Sequence, residues 1–397
     1  MKRKLSGVLL LLFLYMGIAA HAQEVAPLRF SEDGTFKIVQ FTDTHYKWGK
    51  KASEAAVECI KEVLDAEQPD LVILTGDQVY SKSVAQSLPA LLGCISERKI
   101  PFAMVFGNHD AEFDCTNAEM YDLVRKMPYC IMPDRDGVDS PDYLLTVLSN
   151  DSTRTAAVFY CMDTHARGVL RDVAGYAWLR FDQIEWYREH SDAFQEANGG
   201  EPVPSLAFFH IPLPEYALAE ADEDCALVGS KGEDVCSPKL NSGMFAAIKE
   251  QGDIMATFCG HDHDNDFAVM YHGVMLAYGR YSGGKTVYNH LGKNGARVIL
   301  LKEGERTLDT WIRLRGDEII NEVSYPDGFL KKSKKNKARK QQAEQPAETD
   351  KVQNAAPEAE EEALKDGKAE KGEKSEKDEK EKNKYKGEEI IDPVFLQ

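Results

Sequence analysis

The chain lacks an apolar run long enough to cross a bilayer comfortably: Val8 to Ala20 falls short of the ~20 residues that a spanning helix needs. It also lacks a Cys-x-x-Cys pair or zinc-ribbon spacing among its eight cysteines, which excludes a thiolate zinc module. No cysteine follows the apolar leader, so a lipid-anchored lipoprotein is not indicated. Positive charge is in deficit, with a formal net charge of −18, and that excludes a broad basic field for nucleic acid or an anionic membrane. It does not exclude phosphate binding at a metal site, where the ions supply the local positive charge. There is no internal repeat.

Three zones of different composition follow. The leader reads Met-Lys-Arg-Lys, then the apolar run, then Ala20-His21-Ala22, which is the pattern of a secretory signal peptide. Cleavage is expected after Ala22, giving a secreted or periplasmic protein with no transmembrane segment in the mature chain; the alternative is an uncleaved anchor. Residues 23–330 have the mixed composition of a globular domain. From Lys331 to Gln397 acidic and basic residues balance and apolar ones are scarce, so this tail is expected to be disordered. Its last residues, Ile390–Gln397, turn apolar again and are either a docking peptide or an unstructured end. In an exported protein, Cys225 with Cys236 is the first disulfide candidate and Cys115 with Cys130 the second, while Cys59, Cys161 and Cys259 read as core thiols.

Inside the domain, Lys37–Phe41, Leu71–Leu74 and Phe102–Phe106 read as buried strands, with helices over Ala52–Ala66 and Val84–Glu97 between them. Ala156–Cys161, Ser205–Phe209 and Ile254–Cys259 continue the series, around helices near Asp182–Ala197 and Ser242–Lys249. Strands are then expected at Phe267–Tyr271, Val274–Tyr278, Thr286–Tyr288, Ala296–Leu301 and Thr307–Leu314, with His272-Gly273 as a hairpin turn. This is an α/β pattern of two mixed β-sheets packed face to face with helices outside.

Five blocks carry polar residues just past strand ends: Asp43-Thr-His45, Gly76-Asp77, Gly107-Asn108-His109-Asp110, His210, and Gly260-His261-Asp262-His263. Each alone is weak. Together they deliver seven O or N donors, Asp43, His45, Asp77, Asn108, His210, His261 and His263, to the edge where α/β sheets build ligand sites. Burying so many polar groups costs free energy unless they are satisfied, which argues against a purely structural reason. Carboxylate, imidazole and amide oxygen without thiolate suit Fe, Mn or Zn. Seven donors with one shared carboxylate suit two divalent or trivalent transition-metal ions close enough to clamp a phosphoryl group.

These blocks resemble the calcineurin-like metallophosphoesterase superfamily, whose pattern is D-x-H, GD, GNH-[DE], a lone H and G-H-x-H. The similarity spans roughly Lys37 to Leu301, and the run from Gly260 to Asp266 is similar to a branch related to purple acid phosphatases. The resemblance implies a four-layer αββα sandwich. It places Asp43, His45 and His263 on one metal, Asn108, His210 and His261 on the other, and Asp77 between them. It gives His109 a catalytic role, as an acid toward the leaving oxygen or a transition-state stabiliser, while a metal-bridging hydroxide attacks phosphorus in line. The implied activity is hydrolysis of phosphate mono- or diesters; the alternative is an inactive metal-bound scaffold acting as a binding protein.

Two departures from the pattern bear on the assignment. Purple acid phosphatases place a tyrosine three residues after the bridging Asp and lack the first-block His; this chain has both Tyr80 and His45, so a tyrosinate–iron colour is not expected. The related serine/threonine phosphatases place an Asp at the Tyr80 offset to orient the catalytic His. A second Asp-x-His, Asp163-Thr-His165, also follows a strand and lines the cleft or closes on itself. Asp262 and Asp264 are candidates for partners of the ligand histidines, and Arg280 for a contact with substrate phosphate. The expected partner is a phosphorylated small molecule or other phosphoester, and the protein is expected to be a monomer.

Overall fold

A computed structural model describes residues 25–134 and 142–330 of the chain. The leader, the charged tail with Ile390–Gln397, and part of the Met127–Asp142 loop lie outside the described residues. In chain order the elements are β1 (Thr35–Phe41), α1 (Glu54–Glu67), β2 (Leu71–Thr75), α2 (Val84–Glu97), β3 (Phe102–Val105), α3 (Asn117–Arg125), β4 (Tyr143–Leu148), β5 (Thr155–Cys161), α4 (Phe181–Ala197), β6 (Ser205–Phe208), α5 (Glu215–Ala221), β7 (Leu227–Val228), α6 (Met244–Gln251), β8 (Ile254–Cys259), β9 (Ala268–Tyr271), β10 (Val274–Tyr278), β11 (Gly295–Lys302), β12 (Leu308–Leu314) and β13 (Glu318–Tyr325). No described helix is long and apolar enough to cross a membrane.

The strands form two mixed sheets. One has the order β13-β12-β11-β1-β2-β3, the other β4-β5-β6-β8-β10-β9-β7. Strands β1, β2 and β3 run parallel, as do β5, β6, β8 and β10, so their carboxyl ends share an edge within each sheet. The parallel strand β2 is buried along its whole length, which is why Leu71–Leu74 is a continuous apolar run rather than an alternating one.

Alternation in the second sheet builds the layers. Along β5, Ala157, Phe159 and Cys161 join the core shared with the first sheet, while Val158 and Tyr160 join the core under α4, α5 and α6. Phe36 of β1 meets Phe159 at 5.9 Å between ring centroids across the sheet interface. On the outer face of the first sheet, α1 lays Ala56, Cys59, Ile60, Val63 and Leu64 inward. Two sheets face to face with helices outside are therefore the architecture, as the strand pattern predicts.

Two expectations fail. Thr286–Tyr288 is not a strand: this stretch is irregular, and the Tyr288 carbonyl accepts from His263 Nδ1 at 3.1 Å rather than from a ladder partner. Neither disulfide forms, since all eight cysteines are free. Cys236 is anchored elsewhere, its N–H on Asp262 Oδ2 at 3.1 Å, and Cys130 is fixed in a bridge to Phe102. Cys59, Cys161 and Cys259 are buried, as core thiols should be.

Candidate metal centre

The site assembles where β1, β2 and β3 of one sheet and β6 and β8 of the other end side by side. Gln40 stitches them just beneath, donating from Nε2 to Thr75 Oγ1 and to the Cys259 carbonyl, both at 2.9 Å. Past the strand ends the chain turns sharply. Asp43, His45, Asp77 and His261 all take left-handed backbone conformations, with φ of 54°, 41°, 53° and 79°. Each costs a non-glycine residue ~1–2 kcal/mol, so the surrounding fold offsets a concentration of strain at this one place. Space is equally restricted. A Cβ at Gly107 would lie 2.1 Å from Asp77 Oδ1, and one at Gly260 only 1.9 Å from Thr42 Oγ1.

All seven sequence-derived donors converge. His45 Nε2 and His263 Nε2 are 3.0 Å apart, and each lies near Asp43 Oδ1, at 3.9 and 3.7 Å. His210 Nε2 stands 3.2 Å from Asn108 Oδ1 and 3.3 Å from His261 Nδ1. Between these two groups, Asp77 Oδ2 is 3.6 Å from His45 Nε2 and 3.3 Å from His210 Nε2. Two sets of donor atoms, Asp43 with His45 and His263, and Asp43 with Asp77 and His210, are each compact enough to hold one ion.

Hydrogen bonds on the far side of Asp43, His210 and His263 aim these donors, while His45 Nδ1 and His261 Nε2 have no partner among the described residues. His210 Nδ1 faces the Thr75 carbonyl at 2.8 Å and His263 Nδ1 faces the Tyr288 carbonyl, which fixes both rings with Nε2 turned inward. Asp43 Oδ2 accepts from Thr42 Oγ1 at 2.8 Å and from the His261 N–H at 3.0 Å, which leaves Oδ1 toward His45 and His263. Pairs of imidazole nitrogens at 3.0 and 3.3 Å repel through their lone pairs unless a proton or a cation lies between them. The donor set fits transition-metal ions on both counts: its chemistry is right, and its imidazole nitrogens are turned on one another at close range.

Electrostatics separate His210 from the other three buried histidines. Burial pushes His45 down to about 3 and His263 to about 4, and holds His261 well below the ordinary imidazole value, so these rings stay neutral with lone pairs available at pH 7. Burial pulls His210 the same way, but the Asp77 and Asp43 carboxylates outweigh it and raise His210 to about 10. Burial lifts Asp43 to about 7. Asp77 feels the same burial, yet the histidines around it hold it below the usual carboxylate range.

Asp110 is the important residue that motif reading passed over, although it sits inside the third block. Fully buried, its Oδ2 accepts the N–H groups of Asp77 and Gly107 at 2.9 and 2.8 Å, and its Oδ1 those of Gln78 and Val79 at 2.8 and 3.1 Å. One carboxylate thus ties the β2 and β3 loops together. In Asp110→Asn the amide nitrogen must face two of those donors. A loss of ~2–4 kcal/mol of stability, read by urea unfolding, is expected together with weaker metal retention. A variant with wild-type stability would remove Asp110 from this role.

The other candidates divide. His109 is half-exposed at the edge of the cluster; its N–H donates to Asp77 Oδ1 at 2.8 Å, and its ring packs edge-on against His45 and Tyr80. Glu112 Oε1 stands 2.9 Å from His109 Nδ1, an ion-pair contact off the line of a straight hydrogen bond. Tyr80 presents its ring to His45 and His109, beside the cluster. Asp262 does not back a ligand histidine: its Oδ2 takes the hydroxyl of buried Tyr278 at 2.6 Å. Asp264 binds His290 at 2.5 Å. Asp163 and His165 close on each other, with Asp163 Oδ2 3.2 Å from His165 Nδ1 and Gln183 Oε1 3.1 Å from His165 Nε2. Arg280 is the clear correction. It is buried, with Nη1 on Asp266 at 2.6 Å and its other nitrogens on the carbonyls of Leu291 and Lys293, so its bonds lock two loops together. A buried guanidinium needs such partners to offset its desolvation.

Comparison with known proteins adds four findings. A model of the calcineurin-like phosphoesterase family matches residues 36–265. An Arabidopsis thaliana protein named probable inactive purple acid phosphatase 14 is 30% identical over 342 residues, covering 72% of this chain and 82% of that protein. The phosphatase DCR2 of Saccharomyces cerevisiae is 31% identical over 341 residues, covering 76% of this chain and 58% of that one. Among solved structures, a dimetal phosphatase from Danio rerio superposes with a TM-score of 0.52 at 12% identity, covering 73% of this chain and 98% of that chain, a likeness of fold.

Proposed function

The chain belongs to the calcineurin-like phosphoesterase family, and from that premise we propose that it is a metal-dependent phosphoesterase acting on phosphate mono- or diesters. The observation that carries this reading is the convergence of seven donors, with imidazole nitrogens facing each other in pairs. Asp43, His45 and His263 would hold one transition-metal ion and Asn108, His210 and His261 a second, with Asp77 shared. Bound there, the ions would withdraw charge from phosphoryl oxygens and make water nucleophilic at neutral pH.

The chain's own residues supply the rest. The left-handed turns and the Asp110 tie fix the donors before substrate arrives, so little reorganisation is needed on binding. His109 is the one imidazole of the group that reaches solvent, with its side chain 32% exposed. That position lets it meet the leaving oxygen, hand over a proton or stabilise developing negative charge. Glu112 beside Nδ1 leaves Nε2 as the nitrogen for that contact.

His109→Ala is expected to lower kcat on a chromogenic phosphate monoester by ~10²–10⁴-fold while metal content, measured by mass spectrometry, stays at the wild-type value. An unchanged kcat would remove His109 from the chemistry. Because some relatives carry "inactive" in their names, the wild-type protein is assayed first, on a monoester and a diester with Fe, Mn or Zn added. Full metal occupancy without hydrolysis of either would favour a binding scaffold instead.

A further inference from the structure

A row of rings leads out of the cluster. His45 meets His109 and Tyr80 at 5.6 and 5.7 Å between ring centres, and Tyr80 meets His109 at 5.1 Å and Phe113 at 5.3 Å. Exposure rises along the row: His45 is buried, the His109 side chain is 32% exposed, and Phe113 is 40% exposed. His109 and Phe113 touch the same Tyr80 ring, so they lie no more than about two ring contacts apart.

A lone phenylalanine on a surface needs no explanation. This one continues the row that starts at the donor His45, and its loop between β3 and α3 is tied down. Asp110 accepts the Gly107 N–H, the Glu112 N–H donates to the His109 carbonyl at 3.2 Å, and Thr116 with Glu119 caps α3. Tyr80 is held as well. Its N–H donates to the Tyr46 carbonyl at 3.2 Å, and Lys47 Nζ rests 4.5 Å from its ring centre. Tyr80 and Phe113 meet at 64°, a corner in which a flat ring packs face-on to one and edge-on to the other, as aromatic pairs prefer. A puckered aliphatic group has no equivalent fit.

We propose that Tyr80 and Phe113 form the wall that receives the leaving group, and that the alcohol released from the substrate carries a flat aromatic ring. This deepens the phosphoesterase reading and rests on it: His109 meets the leaving oxygen there, and Tyr80 packs directly on His109. The ring is carried on the leaving carbon itself, as in a benzyl-type ester, or across a sugar, as in a nucleotide. Both present the same flat face to the wall.

The test compares benzyl phosphate with cyclohexylmethyl phosphate on the metal-loaded full chain. Both release a primary alcohol of similar bulk, and only one is flat. The wild type is expected to favour the benzyl ester by about five-fold in kcat/KM. In Phe113→Leu, which keeps apolar bulk without the ring, the ratio is expected to fall within about two-fold, and Phe113→Tyr is expected to restore it. AMP and ribose 5-phosphate share one leaving oxygen, so a preference for AMP that Phe113→Leu removes would assign the ring to a base across a sugar. Benzyl preference without AMP preference would assign it to the leaving carbon. Wild-type ratios near one for both pairs, or preferences unchanged in Phe113→Leu, would overturn the proposal. If none of the four esters is hydrolysed, the phosphoesterase reading fails by itself. Calorimetric binding of the non-hydrolysable phosphonate analogues of the benzyl and cyclohexylmethyl esters then decides the wall by the same ratio.

Discussion

An Asp77→Asn variant is expected to fold normally and lose at least two to three orders of magnitude in kcat/KM, on the order of several kcal/mol of transition-state stabilisation. The change is isosteric, and asparagine can still accept the His109 N–H that Asp77 Oδ1 accepts at 2.8 Å. The other oxygen is where the damage falls. Oδ2 stands 3.3 Å from His210 Nε2 and 3.6 Å from His45 Nε2. An amide NH₂ there brings donors to two imidazoles and no charge to any ion. Steady-state hydrolysis of a chromogenic monoester, metal content and circular dichroism are the measurements. Bound metal is expected to fall below the wild-type level, with the spectrum unchanged. Full activity in this variant would remove Asp77 from the shared position and with it the two-ion reading.

The second large effect is expected at Gly76, from a single methyl group. Its φ is +86°, and a Cβ there would lie 2.5 Å from His210 Nδ1 and 2.7 Å from the Gly107 nitrogen. Alanine would carry the left-handed backbone cost of ~1–2 kcal/mol and also displace His210 from its 2.8 Å bond to the Thr75 carbonyl. A total above ~3 kcal/mol is expected, seen as a drop in Tm of more than about 6 °C and weakened metal retention. Gly34→Ala is the control. Its φ is +75° with nothing within 4 Å of the added Cβ, so it reports the backbone cost alone. Equal Tm shifts in the two variants would mean that His210 does not press on the β2 loop.

Much of this site is legible in the sequence because parallel strands are. Buried parallel strands read as continuous apolar runs, and their carboxyl ends collect at one edge, so Asp43, Asp77, Asn108, His210 and His261 could be placed together before any contact was known. What escaped depends on partners distant in the chain. Arg280 beside a glycine-rich turn looks like a phosphate contact until Asp266 is seen against it. Asp163-Thr-His165 is locally indistinguishable from Asp43-Thr-His45; Gln183 of α4, which closes it off, decides the matter. Strands β4, β7 and β13 have no counterpart in the sequence expectations, and only for β13 does burial supply a reason. Along β13 burial follows no period of two, as an edge strand with both faces partly wet allows. The disulfides could not be read at all, since pairing is a matter of Cβ geometry rather than spacing.

The donors come from both sheets, and this bears on how the chain is held together. His45 and His263 face each other at 3.0 Å yet are 218 residues apart in sequence. With ions bound, the centre becomes a cross-link that closes a loop of that length, worth ~5 kcal/mol of lost unfolded-state freedom in the chain-entropy model. All eight cysteines are free, so no sulfur bridge shares that work. The same separation sets an order of events. Contacts so remote in sequence form late, after β8 has joined its sheet, so the seat for the ions is completed by folding rather than offered to a nascent chain.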